Sequence, residues 1–320
     1  MGARYIGIGK QTVYGTEVAL TEFLDAIDES VKDDNSIVAD PTMGVRGLTK
    51  PIPGEFKTGG GFKAYAEPEN LGLLLLGLLG SGCDTPTTPE TGVYLHTMIP
   101  TVTPQYLTVG IGSDVTAGQK TIGSAGVRKA KFSISKSSKL LAEFDIFGQT
   151  HKVEALVAPT FSTKQPFHWG HASAKIATAA NTQIMAMTIE AENKYNENDY
   201  TLGSRLLRSA QLNTFSVKGT MDLLFDQLAQ LKMFLGNNAA VAPAATLVKQ
   251  RLDLEFVSDV LCGATQFYAM KFIMLECLFK THKANINKRD RTIENIEWEC
   301  FWPTAGAQFS VLYTNSIASY

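Results

Sequence analysis

The sequence predicts a mainly β protein made of two tandem copies of one domain, each with a single α-helix. Three observations predict this fold class. The chain has 320 residues, about twice the ~150 residues expected of one domain. Each half contains a stretch in which apolar and polar residues alternate with the period of a β-strand. Each half also contains a leucine-rich segment that ends in glycine, at Gly80 and Gly236, and this regular spacing indicates a duplication.

Both leucine-rich segments are predicted to be α-helices that flank their domains. The first covers residues 68–79, where Pro68 suits the first helical turn and Gly80 the end. The second covers residues 221–235 and ends at Gly236. Leucines recur in both at the spacing of one helical face, which is expected to pack on the domain. These packing residues are Leu71, Leu75 and Leu78 in the first helix and Leu224, Leu228 and Leu231 in the second.

Near the end of each half, apolar and polar residues alternate along two segments separated by a polar turn, and this pattern is typical of a β-hairpin. The first hairpin is predicted at residues 130–146, and the second at residues 284–302 with its turn at 287–291. Phe144 and Trp298 occupy matching positions in the two hairpins.

The matching landmarks set the predicted domain boundaries. The first domain is expected at residues 1–155 and the second at residues 184–320. Residues 156–183 are rich in Ala, Ser, Thr and Pro but also carry large aromatic side chains. We therefore expect an ordered linker or crossing arm there rather than a free tether.

Composition narrows the possible functions. The net charge of −2 argues against a protein that binds nucleic acid by neutralising phosphates. Nothing at the amino terminus resembles a signal peptide. The strongest apolar run, residues 71–79, is much shorter than the ~20 residues of a membrane helix, so no membrane partner is expected. The four cysteines lack CxxC spacing and are expected to be free thiols in a reducing cytoplasm.

No catalytic, cofactor or metal site is predicted. Gly7, Gly9 and Lys10 only partly match a phosphate-binding loop, which needs the full Gly-x-x-x-x-Gly-Lys-Ser/Thr pattern. His168 and His171 form the one close histidine pair in the sequence, but no cysteine or acidic residue lies nearby in sequence to complete a metal site. They are expected to be surface histidines of the linker.

Two segments of the first half resemble a known family. Residues 5–17, Tyr-Ile-Gly-Ile-Gly-Lys-Gln-Thr-Val-Tyr-Gly-Thr-Glu, and residues 59–72, which run into the leucine helix, are similar to the major tail tube proteins of long-tailed, non-contractile bacteriophages. The hairpin at residues 127–148 also fits. The resemblance covers most of residues 5–150 and, more weakly, residues 184–303.

The resemblance implies a β-sandwich-like domain with one flanking helix, whose hairpins join those of neighbours in a ring-shaped inner β-barrel. Six such domains close a ring, and stacked rings form the tube through which DNA leaves the virion. Most members carry one tube domain, whereas this chain carries two, so three chains are expected to form a pseudo-sixfold ring. The implied partners are further copies of the chain, a tape measure protein, tail terminator and tip proteins, and passing double-stranded DNA that is not specifically bound. The implied location is the virion tail, assembled in the host cytoplasm.

Two groups of residues are candidates for contacts within such a tube. A bore that lets DNA slide should be neutral to acidic, and acidic residues alternate along both hairpins; the alternative is an outer solvated face. The candidate lumen-lining residues are Glu143, Asp145, Glu297 and Glu299. Polar turns and the amino-terminal arm are candidates for ring stacking or subunit contacts, or are ordinary surface loops. These candidates are Tyr5, Tyr14, Asp33, Asp34, Asn35, Lys50, Asn196 and Asp199.

Two other functions remain open from the sequence. One is another virion component with the same fold, such as a tail terminator, or a baseplate or secretion tube piece. The other is an enzyme or ligand-binding protein, which the empty motif search disfavours.

Overall fold

The protein is mainly β, as predicted. The computed structural model describes residues 4–41, 43–44, 46–113, 118–285 and 291–320, and these contain nineteen strands, two α-helices and one 3₁₀ turn.

Strands make up most of the described secondary structure, and the helices are few and short. In the first half of the chain they are β1 (Tyr5–Lys10), β2 (Glu22–Leu24), β3 (Ala26–Glu29), β4 (Lys32–Pro41), β5 (Leu48–Tyr65), α1 (Gly72–Leu79), β6 (Asp84–Glu90), β7 (Val93–Met98), β8 (Leu107–Ser113), β9 (Gly118–Ser135), β10 (Leu141–Gly148) and β11 (Thr150–Ala155). In the second half they are a 3₁₀ turn (Trp169–His171), β12 (Ala172–Ile176), β13 (Ala179–Ala180), β14 (Ile184–Asn196), β15 (Gln211–Leu224), α2 (Ala229–Leu235), β16 (Gln250–Leu261), β17 (Phe267–Asn285), β18 (Ile293–Cys300) and β19 (Phe309–Asn315).

One antiparallel sheet, called here the main sheet, runs through both halves. Its strand order is β4–β5–β10–β9–β14–β15–β18–β17, and β3 pairs with β5 next to β4. The halves meet where β9 pairs with β14, with Phe132 opposite Ile189 and Lys131 opposite Glu190. This pairing is called the internal joint. Both predicted hairpins are present, as β9–β10 and β17–β18, although the second predicted turn lies outside the described residues except for Arg291.

Because side chains alternate along a strand, the main sheet has two distinct faces. One face is apolar and packs into the core of the molecule. Its largest buried side chains include Phe62, Phe132, Phe144, Ile189, Met221 and Trp298, one from each of six neighbouring strands. The opposite face is polar and is described in the next subsection.

Two long strands connect the main sheet to sheets behind it. The first part of β9 lies between β8 and β11 in a sheet of order β2–β1–β8–β9–β11. The first part of β17 lies between β16 and β19 in a sheet of order β13–β12–β16–β17–β19–β7–β6. The strand order β1–β8–β9–β11 in the first of these sheets thus corresponds to the order β12–β16–β17–β19 in the second.

The segment expected to be a linker is closely attached to the fold. Residues 172–180 supply β12 and β13, and β12 pairs with β16. Upstream, the Phe167 side chain is buried. Its amide donates to the Ala66 carbonyl over 2.9 Å, and its carbonyl accepts from the Leu140 amide over 2.8 Å.

Helix α1 is shorter and more deeply buried than predicted. It begins at Gly72 rather than Pro68, and all eight of its residues are buried. Leu71, Leu75 and Leu78 are completely buried. The helix lies inside the core rather than flanking it, because apolar residues cover all of its sides and none can favourably face water.

The prediction of the second helix was wrong over its first half. Residues 221–224 are the end of β15, so Leu224 lies on a strand, and α2 begins only at Ala229. Strand pairing is favoured because β14 and β18 satisfy the backbone groups of residues 221–224 on both sides. Leu228 precedes the helix and is 53% exposed, while Leu231 is partly buried.

The cysteine prediction was also wrong in part. Cys277 of β17 lies directly opposite Cys300 of β18, and the two are joined by a disulfide. Cys83 and Cys262 are free thiols, as expected. The sequence could not show the pairing, because only the register of β17 and β18 brings these two residues together.

Glu22 is an unusual carboxyl group close to α1. Its Oε2 atom is buried and has no hydrogen-bond partner among the described residues. Burial raises the pKa of Glu22 to about 8, although a hydrogen bond from the Leu73 amide acts in the opposite direction. The neutral acid is therefore the form that fits the folded protein.

Two aspartate substitutions test the helix description. Leu75→Asp is expected to abolish folding, because an unpaired charge in the core costs several kcal/mol, which is comparable to the ~5–15 kcal/mol stability of a typical domain. Leu228→Asp is expected to change stability by less than about 1 kcal/mol, because the side chain is exposed and aspartate suits the residue that precedes a helix. Denaturant unfolding followed by circular dichroism measures both, and a well-folded Leu75→Asp variant would contradict the core placement of α1.

Glu22 makes stability depend on pH. A carboxyl pKa that is raised on folding contributes most stability below its unfolded value near 4.5, and this contribution is lost as pH rises towards 8. At pH 8 Glu22→Gln is expected to be more stable than the unchanged protein by on the order of 2–4 kcal/mol, since each pKa unit corresponds to about 1.4 kcal/mol. The exposed Glu55→Gln variant is the control. Equal pH dependence of all three proteins in thermal unfolding would rule out a buried neutral Glu22.

Candidate assembly surfaces

The polar face of the main sheet carries a row of alternating charges, called here the charge ladder. Each member lies directly opposite the next on the neighbouring strand, so every acidic residue has basic neighbours. In order across the sheet the ladder consists of Asp28, Lys63, Glu143, Lys131, Glu190, Lys218 and Glu299, and Lys280 of β17 pairs with the last of these over 2.8 Å.

The centre of the ladder lies at the internal joint. Glu190 of β14 accepts from Lys129 of β9 over 2.7 Å and from Lys218 of β15 over 3.1 Å. Burial alone would raise the pKa of Glu190, but the two ammonium groups hold that pKa below its usual value. The carboxylate is therefore ionised, and it links the two halves electrostatically.

All four acidic residues predicted to line a bore lie on this polar face. Glu143 and Glu299 belong to the ladder, while Asp145 and Glu297 lie two residues along the same strands. Asp145 accepts from Arg128 over 3.3 Å. The structure thus brings together residues more than 150 positions apart in sequence on one side of one sheet.

The charge pattern determines what this face can bind. The ladder contains four acidic and four basic residues in alternation. A phosphate backbone is retained by clustered cations whose counterions it replaces, whereas here each lysine lies beside a carboxylate. The ladder therefore lacks the clustered cations that retain a phosphate backbone.

The main sheet ends in two strand edges. At one end, β3 and β4 pair only with β5 among the described residues. At the other end, residues 278–285 of β17 pair only with β18 within the part of the chain that the structure describes. Unpaired strand edges offer backbone donors and acceptors to another strand.

Two segments extend from the main sheet past the region in which β5 and β14 have a neighbouring strand on each side. The first arm, residues 36–41, 43–44 and 46–53, contains the far ends of β4 and β5, which pair with each other, and the second arm, residues 197–210, connects β14 to β15. The second arm is folded onto the first half of the chain. Its residues Leu207 and Ala210 are buried against Phe147.

Polar contacts fix the second arm in this position. The Tyr14 hydroxyl and the Gln149 amide donate to the Leu207 carbonyl over 3.1 and 2.8 Å. Arg128 donates to the two carboxylate oxygens of Glu197 over 2.7 and 3.1 Å. The arm is therefore held by apolar burial, neutral hydrogen bonds and a bidentate ion pair together.

The first arm is largely uncovered by comparison. Its base is held by Arg205 of the second arm, which donates to the Gly54 carbonyl and to Asn35 over 2.7 and 2.8 Å. Beyond the base, large apolar side chains are exposed to solvent. They are Ile37, Val38, Leu48 and Ile52.

Most residues predicted to make stacking or subunit contacts lie on these arms or at their bases. Tyr5 is an exception: it is buried in β1 between β2 and β8, and its hydroxyl donates to Gln119 over 2.6 Å. The predicted amino-terminal arm is thus a strand of the fold. Tyr14 lies beneath the second arm. The residues on or beside the first arm are Asp33, Asp34, Asn35 and Lys50, and those on or beside the second are Asn196 and Asp199.

His168 precedes the 3₁₀ turn and His171 is its last residue, so the pair does not lie on an open surface. The His168 and His171 rings lie with their centroids 3.6 Å apart and their planes tilted by 32°. The His171 side chain is almost completely buried, and its Nε2 atom lies 3.5 Å from Oδ1 of Asp259. Among the described residues no cluster of three or more His, Cys, Asp or Glu side chains could hold a metal ion.

A groove with a volume of about 930 Å³ lies next to the internal joint. Its lining is mostly apolar or neutral, and includes Trp169, Met187 and Leu254. No acidic, histidine or cysteine side chain is among the described residues that line it.

Sequence reasoning missed the charge ladder and the difference between the two arms. Period-two alternation around Glu190 and Lys218 could have placed both on one strand face. Their position opposite Lys131 and Glu299 depends on which strands become neighbours, and sequence periodicity does not report that.

No helix in the described ranges combines the length and the apolar character needed to cross a membrane. No curated protein matches the chain significantly. A family model described as phage tail tube protein matches residues 3–300, nearly the whole chain. With its predominantly antiparallel β fold and this match, the chain belongs to the phage tail tube protein family.

Proposed function

We propose that the protein is the structural subunit of a phage tail tube, in which three chains form each ring and stacked rings form the conduit for DNA ejection. One observation carries the proposal. The internal joint pairs an edge strand of the first half with an edge strand of the second. The corresponding edge strands at the two ends of the main sheet, β3 and β17, have no such partner among the described residues.

The proposal treats residues 1–155 and 184–320 as tandem tube domains. Support comes from the repeated strand order: β4–β5–β10–β9 in the first half matches β14–β15–β18–β17 in the second. Both α-helices contact the long strand of their own half, β9 or β17. The segment at residues 156–183 connects the two units and supplies β12 to the second.

Ring closure follows from the edges. A contact between unlike ends of identical chains produces a closed ring if the rotation permits, and a filament if it does not. Three two-domain chains give six sheet units, and closure into a barrel removes every unpaired edge. The internal joint would then be repeated by each contact between chains.

In this ring the polar face of the main sheet lines the bore. Glu143, Asp145, Glu297 and Glu299 are the proposed lumen residues, because their apolar neighbours on the same strands occupy the core and leave only this face available. Double-stranded DNA would pass without specific binding, since the ladder offers alternating charges rather than a cationic strip.

The role is structural rather than catalytic, and the location is the virion tail after assembly in the host cytoplasm. Further partners are other copies of the chain, the tape measure protein, and the terminator and tip proteins that bound the tube. The polar residues on and beside the arms, such as Asp34 and Asn196, are candidates for contacts between subunits or rings.

Concentrated purified protein is expected to form hollow tubes built of three-chain rings. Negative-stain electron microscopy shows the tubes, and native mass spectrometry of small assemblies counts the chains. A protein that stays monomeric at every concentration would contradict the proposal. Single rings that never stack would instead favour a tail terminator or another tube-fold component.

Charge reversal at Glu297 tests the lumen assignment. Glu297→Lys should leave tubes intact, because the side chain is exposed on the sheet face, but should slow DNA ejection, because added lysines bind phosphates. Glu297→Gln, which removes the charge without reversing it, is the matched control and should eject DNA nearly normally. Release of DNA from virions, followed with an intercalating dye, measures the effect. Normal ejection by the lysine variant would place this face outside the bore.

A further inference from the structure

We infer that a specific joint connects consecutive copies: residues 278–285 of β17 pair with β3 and the start of β4 of a second copy, and the first arm of that copy covers Phe301 and Trp302. The inference rests on the proposed function and adds to it the strands, the register and the covering segment. The occupant of both surfaces is a second copy of this chain.

The internal joint supplies the template for the register. In the first half, Lys63 of β5 lies opposite Glu143 of β10 on one side and opposite Asp28 of β3 on the other. In the second half, Thr220 of β15 lies opposite Glu297 of β18 on one side and opposite Thr188 of β14 on the other. Because Glu143 and Glu297 hold the same place in their hairpins, Asp28 of β3 corresponds to Thr188 of β14.

The other side of the joint follows from the hairpins. Glu143 lies opposite Lys131, and Glu297 lies opposite Thr281. Two residues further along, Ser133 of β9 therefore corresponds to Lys283 of β17. Within the chain Ser133 lies opposite Thr188. Transferring this register to two copies places Lys283 of one copy opposite Asp28 of the next.

The charges agree with this register. Asp28 and Lys283 are both exposed. Directly opposite residues on antiparallel strands have Cβ atoms about 4.5–5.5 Å apart, close enough for an ion pair.

The arms give an independent indication. In the first half, Phe147 is only 2% exposed because Leu207 and Ala210 of the second arm cover it. Phe301 follows Glu297 by four residues, as Phe147 follows Glu143, but it is 42% exposed. The neighbouring Trp302 is also exposed. Among the described residues, a segment therefore covers Phe147 but none covers Phe301 to the same extent.

The first arm has the properties of that missing segment. The first arm extends from β4 and β5, and the second arm extends from β14 and β15, which are the corresponding strands of the second half. Its apolar side chains, including Ile37, Leu48 and Ile52, are exposed, whereas Leu207 of the second arm is buried. Two uncovered apolar surfaces thus lie at the two open ends of one chain, where a neighbouring copy would bring them together.

Disulfide trapping tests the register. In assembled protein, Asp28→Cys combined with Lys283→Cys is expected to form intermolecular disulfides, seen on non-reducing gels as species of up to three chains. Asp28→Cys with Thr281→Cys is the matched control: its positions are diagonal, with Cα atoms about 7–8 Å apart, and it should cross-link much less. Each single-cysteine variant should give no series of cross-linked chains on the same gels. Efficient trapping of the diagonal pair, or no trapping of the direct pair in assembled tubes, would overturn this register.

Substitution at Phe301 tests the arm. Phe301→Asp should fold normally, because the side chain is exposed in the single chain, but should remain monomeric in analytical ultracentrifugation. Val241→Asp, at another exposed apolar position of the second half, should assemble like the unchanged protein. Normal assembly of Phe301→Asp, or equal loss in both variants, would refute the covering arm. Failure of the unchanged protein to assemble would instead refute the proposed function, so the two failures are distinguishable.

Discussion

The structure depends on the pairing of strand edges. Each backbone amide and carbonyl of a strand needs a partner, and an edge left open attracts another strand. At the internal joint β14 of the second half covers β9 of the first, which satisfies one such edge within the chain. Two edges remain at the ends of the main sheet. Duplication makes half of the joints of the proposed ring intramolecular, which raises their effective concentration.

The main sheet forms part of the core and also offers a polar surface, because its two faces are chemically different. Side chains such as Phe144 and Trp298 pack inside, so the polar residues between them must face outwards. Alternating lysines and carboxylates on that face partly neutralise each other, and Glu190 illustrates this with two ammonium partners. The same pattern that lets many charges share one sheet face also avoids a strongly cationic surface, which suits the proposed passage of DNA.

Prediction from sequence succeeded where the signal was local. Period-two alternation identified both hairpins, and glycine positions identified the helix ends. It was wrong where two local patterns overlapped: residues 221–224 fit a leucine stripe as well as a strand, and pairing on both sides favoured the strand. It also did not anticipate burial that depends on distant neighbours, as for Tyr5 and His171.

The sequence by itself determined the mainly β class, the positions of the hairpins and which side chains share a strand face, because alternation and glycine placement act over a few residues. Only the tertiary structure decided that β9 pairs with β14, that β7 joins the sheet of the second half and that Cys277 meets Cys300. A strand pattern specifies its face but not its neighbour, since any strand of similar alternation offers the same backbone groups. The choice of neighbour depends on how all strands close the core together.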